Sequence, residues 1–211
     1  MREVMMEGKT EARVALADYE KPGYYGVGAL AGLQGEVLIE DGNVGIARDR
    51  ATHQRMGAGT ERATLLTVAR VRAWREVPLV ADADLEAIEH AIAEAVPESM
   101  HTAAAPVPFR LEGNFASLAL HVARGACPHA ATSPETEPDR WSSSTEGASG
   151  TVAGFFAPGR AGVMTHHGSA IHAHARVRPA KQPISLLGDS AMGHVDSLVC
   201  APGAKLFVPA R

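Results

Sequence analysis

Short β-rich apolar runs recur along most of this chain, with a period of two clearest at Ile171 to Val177, and a helical repeat stands out at one place. Glu36-Val-Leu-Ile-Glu40 and Asn43-Val-Gly-Ile-Ala-Arg48 are two β-rich runs separated by Asp41-Gly42. That pair predicts a tight hairpin, because both central positions of a type I′ turn require positive φ. Upstream, Lys21-Pro22-Gly23 reads as a turn and Tyr24 to Leu33 is rich in Gly and Ala. Gly26, Gly28 and Gly32 do not make a dinucleotide fingerprint, since a strand rather than a helix follows them. The polar segment Asp49 to Glu61 reads as a loop. Thr64 to Arg72 is apolar and β-branched enough for a largely buried strand, and Trp74-Arg-Glu-Val-Pro78 ends it because proline cannot continue a ladder. Helical spacing of Leu85, Ile88, Ile92 and Val96 predicts one helix over Asp84 to Val96. Asp82, Asp84 and Glu86 suit its positive N-terminal end, Pro97 closes it, and Glu86, Glu89 and Glu94 read as a solvated face.

The β pattern then resumes. Val107 to Glu112 and Phe115 to Ala123 are predicted as two strands with a turn at Gly113-Asn114. Residues 128–149 shift to Ser, Thr, Pro and Glu around an isolated Trp141, which reads as a long loop or polar insertion. Further strands are predicted at Thr151 to Phe156, Gly162 to His167, Ala170 to Val177, His194 to Cys200 and Ala204 to Val208. Strands outnumber helices and no βαβ alternation occurs, so the expected class is α+β with mostly antiparallel or mixed sheet. At 211 residues the chain can hold one sizeable core, or two lobes that share one.

Composition narrows the function classes. With 45% hydrophobic and 21% charged residues, the chain has the make-up of an ordinary soluble globular protein. A net charge of −4 and the lack of a basic stripe argue against nucleic acid as a partner. Arg176 to Lys181, the longest basic stretch, reads as the exposed end of a hairpin. Met1 to Ala17 lacks the apolar core of a signal peptide and no run reaches membrane-spanning length, so no membrane partner is expected and the default compartment is the cytoplasm. Cys127 and Cys200 are too few for a disulfide framework and read as one loop thiol and one buried thiol.

The candidate chemistry lies in Thr165-His-His-Gly-Ser-Ala-Ile-His-Ala-His-Ala175 and Gly193-His194-Val195. Five of the ten histidines fall between positions 166 and 194. On a strand, His172 and His174 project from one face. A divalent ion held about 2.0–2.1 Å from each imidazole needs a third ligand from a neighbouring strand, and His194 can supply it. Paired histidines on a strand can equally be surface residues or hydrogen-bonded core residues.

Five landmarks, in order, resemble the α-acetolactate decarboxylase family: Gly28-Ala-Leu-Ala-Gly-Leu-Gln-Gly-Glu-Val-Leu-Ile-Glu-Asp-Gly42, Pro108-Phe-Arg-Leu-Glu-Gly-Asn-Phe115, Gly150-Thr-Val-Ala-Gly-Phe-Phe156, His172-Ala-His174 and Gly193-His-Val-Asp196. The resemblance implies a single domain over 1–211 built from two related mixed or antiparallel β-sheet units with few helices. The N-terminal lobe would span about 20–100 and a metal-binding C-terminal lobe about 105–211. It implies His172, His174 and His194 as ligands of Zn2+ (or another imidazole-binding divalent ion), Arg110 as the active-site arginine and Glu36 as the first active-site glutamate. The implied reaction takes a small 2-hydroxy-3-keto acid, 2-acetolactate, to acetoin and CO2 without an organic cofactor. Zinc as a Lewis acid would take up the electron pair that CO2 leaves behind, Arg110 would add positive charge, and Glu36 would deliver or relay a proton.

From the residues themselves, Glu36 at a strand start can also be an exposed carboxylate. Arg110, between Phe109 and Leu111, needs either a structural partner such as Glu112, whose orientation reads as unsuitable, or a site ligand. Three departures from the family's pattern stand out: no residue matches its second, C-terminal glutamate, the link from His174 to His194 is extended, and His166 and His167 adjoin the metal pair. A zinc-dependent hydrolase or isomerase, with His166, His167 or Glu36 as base, and a non-catalytic metal-stabilised binding module, closed by Asp196 or His167, remain open alternatives. Exposed sheet edges are compatible with a homodimer.

Overall fold

The computed structural model describes residues 4, 8–48, 50–97, 105–125, 140–160, 164–165, 169–180 and 190–210, with only the backbone described for 50–55 and 140. Its strands are β1 (Val14–Ala15), β2 (Tyr24–Leu30), β3 (Glu36–Glu40), β4 (Asn43–Arg48), β5 (Arg50–Met56), β6 (Arg62–Arg70), β7 (Trp74–Val77), β8 (Val107–Ala123), β9 (Arg140–Phe156), β10 (Ile171–Pro179), β11 (Ala191–Cys200) and β12 (Lys205–Pro209), with helix α1 (Leu85–Ala95) between β7 and β8. The strands form two sheets, ordered β1-β6-β2-β3-β4-β5 and β11-β10-β9-β8-β12-β7, and β11 also closes back onto β8. Every pairing among the described residues is antiparallel. The α+β, two-sheet architecture expected from the sequence is therefore what the chain adopts. No helix among the described residues is long and apolar enough to cross a membrane.

The β3–β4 hairpin forms as Asp41-Gly42 dictates, with φ of 49° and 78° at the two turn residues. Strand alternation then sorts β3 between two environments. Val37 and Ile39 join Leu16, Leu30, Val44 and Ile46 in one cluster, while Leu38 joins Val27 and Ala47 in a larger cluster shared with the second sheet. By the same period of two, Glu36 and Glu40 lie on the Leu38 face and are aimed at the second sheet. Ile171, Ala173, Ala175 and Val177 of β10 are buried in that larger cluster, and by alternation the histidines between them point from the opposite face of the strand.

Four expectations change. The polar segment after Arg48 is a strand, β5, because an edge strand needs backbone partners on one side and no apolar face of its own. Trp74 to Val77 is not the tail of β6 but a separate strand paired with β12 in the other sheet, though Pro78 does terminate it. Gly113-Asn114 is no hairpin turn: β8 is one 17-residue strand and its ladder to β9 runs straight through. Gly113 stands opposite Gly150, with φ of 137° and 153°, so the two strands turn together where two hairpin halves were expected. Within the segment 128–149, residues 140–149 are strand, their polar side chains tolerated because β9 borrows its order from β8; 128–139 lie outside the described residues. The same holds for Cys127, His166 and His167, and for all of Gly162 to His167 except Met164 and the buried Thr165.

Helix α1 matches its predicted bounds. Asp84 is its N-cap, accepting a hydrogen bond from Ala87 N at 2.9 Å, and Arg75 donates to the carbonyl of Ala95 at the far end. Its acidic face is not wholly solvated: Glu89 is half-buried and hydrogen-bonded to Ser169 and Ala170.

Two outcomes follow from this packing. Asp84→Ala should lower unfolding free energy by about 1 kcal/mol in denaturant titration, the usual worth of an N-cap. Cys200 is 1% exposed and burial pushes its thiol up to about 11. In a Cys127→Ser background it should resist an alkylating reagent at pH 8 until denaturant is added, and its contribution to stability should fall as pH rises from about 9 towards 11, since the folded state holds that proton longer.

Candidate metal centre

Register brings three of the expected residues together with one that the sequence reading did not single out. His174 of β10 lies directly opposite His194 of β11, and His194 lies opposite His121 of β8 at the point where β11 crosses from one partner to the other. Directly opposed residues of an antiparallel pair share a face, so the three imidazoles line up. His172, two residues before His174, joins them. Ring centroids are 5.2 Å apart for His172–His174, 5.0 Å for His172–His194 and 5.3 Å for His174–His194.

The nitrogens converge as a ligand set would. His172 Nε2 and His174 Nε2 are 3.2 Å apart, and one nitrogen from each of His172, His174 and His194 lies within 4.8 Å of the others. Ligands at 2.0–2.1 Å around a tetrahedral ion are separated by about 3.3 Å. The residues present therefore fit a zinc-type ion held by neutral imidazoles. A second group, His121, His194 and Asp196, meets the same proximity test. Its geometry differs: His121 Nδ1 lies 2.8 Å from Asp196 Oδ1, shorter than such an edge and typical of a charge-assisted hydrogen bond. Asp196 reaches His121 because it is the extra residue of a bulge between Val195 and Ser197, and the His121 ring stacks on His194 at 4.6 Å. His121 and Asp196 thus read as an orienting pair beside the three-histidine set.

Glu36 closes the site from the first sheet. It is 4% exposed, its Oε1 accepts from Ala123 N at 2.9 Å, and its Oε2 lies 3.6 Å from His174 Nε2. Burial pushes its carboxyl from 4.5 up to about 7; His121 and the Ala123 N–H pull it down and Asp196 adds to the rise. Of the two readings open for this residue, the exposed strand-end carboxylate is excluded. Glu40, on the same face of β3, accepts from Thr151 Oγ1 at 2.5 Å and pairs with Arg176 Nη2 at 2.5 Å. Arg176 is thus bound between the sheets and is not part of an exposed hairpin end, because the period of two puts it on the His174 face.

Arg110 shares that face too, through Ala153, which is opposite both Arg110 and His174. Two strand spacings place it roughly 10 Å from His174 along the sheet. Its guanidinium lies 4.7 Å from the Phe207 ring and 5.3 Å from Trp74, and it pairs with Glu112 at 3.1 Å. Glu112 does point the right way after all, since residues two apart on a strand share a side. The signal that marked Arg110, a polar residue inside an apolar strand, is also present at Leu120-His121-Val122 and would have found His121.

Comparison with known proteins bears on the fold and on the family. No curated protein matches the chain in sequence. Its fold is similar to that of alpha-acetolactate decarboxylase from Bacillus subtilis strain 168, with a TM-score of 0.68 and 17% identity over 96% of this chain and 80% of that one. It is also similar to a Staphylococcus aureus protein of unknown function described as similar to alpha-acetolactate decarboxylase, with a TM-score of 0.65 and 15% identity over 94% and 78% of the two chains. The sequence model of the alpha-acetolactate decarboxylase family matches residues 1–177, which takes in Glu36, Arg110, His172 and His174 and stops short of His194. With most of its length matched by that model and a fold to go with it, the chain belongs to the alpha-acetolactate decarboxylase family.

Proposed function

We propose that this protein is a metal-dependent carboxy-lyase that converts a 2-hydroxy-3-keto acid, with 2-acetolactate as the expected substrate, into acetoin and CO2. The observation that carries the reading is the convergence of the His172 and His174 Nε2 atoms and His194 beside a buried carboxyl group whose proton affinity is near neutral. His172, His174 and His194 would hold Zn2+, which when bound supplies a Lewis acid for the electron pair released as CO2 departs.

The chain's own residues account for the rest. In the net reaction the bond from the hydroxyl-bearing carbon to the carboxylate breaks, its electron pair stays behind, and that carbon gains a proton. Glu36 can hold or move that proton at Oε2, the oxygen facing His174, while Ala123 N–H fixes Oε1. Burial between the sheets raises the proton affinity of Glu36 above that of an exposed carboxylate, which is what suits it to carrying a proton. Arg110 would offer guanidinium N–H donors, with a charge partly offset by Glu112, on the same face of the sheet, where Phe207 and Trp74 flank it.

A hydrolase on the same scaffold is favoured by one observation, the His121–Asp196 hydrogen bond beside His194, which has the form of a base oriented by a carboxylate. Turnover of esters or lactones without CO2 release would separate the two.

The deciding experiment is CO2 and acetoin release from racemic 2-acetolactate by metal-analysed protein. His174→Ala should lose its bound metal and lower turnover by more than about 100-fold, since even residues that merely support metal ligands cost 10–100-fold. Turnover that survives metal loss in this variant would sink the reading. Glu36→Gln keeps the volume and the acceptor for Ala123 N–H but cannot carry a proton. It should lower kcat by about 10²–10⁴-fold with metal content unchanged.

A further inference from the structure

Strands β10 and β11 part at the site itself. They pair from His174–His194 to Val177–Ala191, and beyond His194 strand β11 pairs with β8 instead. His172 therefore sits on a stretch of β10 that has β9 on one side and no β11 partner on the other. Helix α1 spans this parting. At its N-terminal end Asp84 bridges to Val199, and Cys200 N donates to Ala83 O at 2.8 Å, so the helix is tied to the strand of His194. One turn further on, Glu89 Oε1 accepts from Ser169 Oγ at 2.6 Å and from Ala170 N at 2.8 Å, so the helix is tied to the lead-in of the strand of His172.

The lead-in is held at several further points. Thr165 Oγ1 donates to Ser169 O at 2.5 Å, Ala157 N to Ala170 O at 2.7 Å, and Ile171 N to Ser169 Oγ at 3.0 Å. The Ser169 hydroxyl has one proton, and its short contact to Glu89 uses it, leaving its lone pairs for Ile171 N. Glu89 thus fixes the residue that in turn fixes the backbone next to His172.

We infer that Glu89 is a positioning residue for the metal centre: through Ser169 and Ala170 the helix sets the place of His172 relative to His194, a role that rests on the three-histidine reading. His174 and His194 are placed by the ladder they share, whereas His172, half-buried, lies where that ladder has ended. Loss of the Glu89 contacts loosens the lead-in to His172 while its ladder with β9 and the core stay in place.

The test uses cobalt(II) as the probe, with affinity read by chelator competition, geometry by the visible absorption bands, and folding by the melting temperature of metal-free protein. Glu89→Ala should weaken cobalt binding about tenfold and change the absorption bands. Glu89→Gln retains an Oε1 acceptor and should bind within about twofold of the parent. Ser169→Ala, which leaves Glu89 and Ala170 N in place, should give a smaller loss and keeps the test decisive if Glu89→Ala does not fold. Parent-like affinity and spectra in both Ala variants overturn the inference while leaving the metal centre standing, as does a Glu89→Gln protein that binds no better than Glu89→Ala. A parent protein that takes up no cobalt overturns the metal reading and this inference with it.

Discussion

The two halves of the site are joined by a carboxyl group sealed between two sheets. Glu36 reaches the histidines only because β3 turns Glu36, Leu38 and Glu40 to the same side, and that side is pressed against β9 and β10. Leu38 supplies the apolar contact of the interface and Glu40 ties it laterally through Thr151 and Arg176. Glu36 is left with an N–H from β8, an imidazole, and little water. Holding it charged at neutral pH costs on the order of 3 kcal/mol relative to water. A cation at the histidines would offset that cost.

The second sheet contributes the complementary half by curling. Because β11 leaves β10 at His194 to pair with β8, one residue is opposed on both sides by a histidine. The same crossing carries the bulge that brings Asp196 to His121, and it leaves the beginning of β10 without a β11 ladder, where helix α1 is tied in through Glu89. Ligand set, orienting pair and helix clasp are three results of one change of partner.

Much of this was legible from the residues alone wherever the cause is local. The Asp41-Gly42 hairpin follows from turn stereochemistry, the 85–95 helix from its repeat and its acidic N-terminal end, and the shared face of His172 and His174 from a spacing of two. The edge strand β5 and the first ten residues of β9 were not, because polar edge and hairpin strands take their conformation from a partner's hydrogen bonds rather than from their own side chains. Gly113-Asn114 misled for a related reason: a glycine that ends a strand in isolation serves as a twist point when another glycine, Gly150, stands opposite.

What the sequence by itself determined is the inventory and its periodicities: which positions alternate, which turn must be tight, and that five of ten histidines crowd one stretch. What only the tertiary structure decided is who meets whom. Glu36 and His174 are far apart in the chain, and so are His121 and Asp196; their contacts come from sheet stacking and strand register, which arise from pairings over long loops. A period of two tells which side of a strand a residue takes. It carries no information about what the fold places on that side.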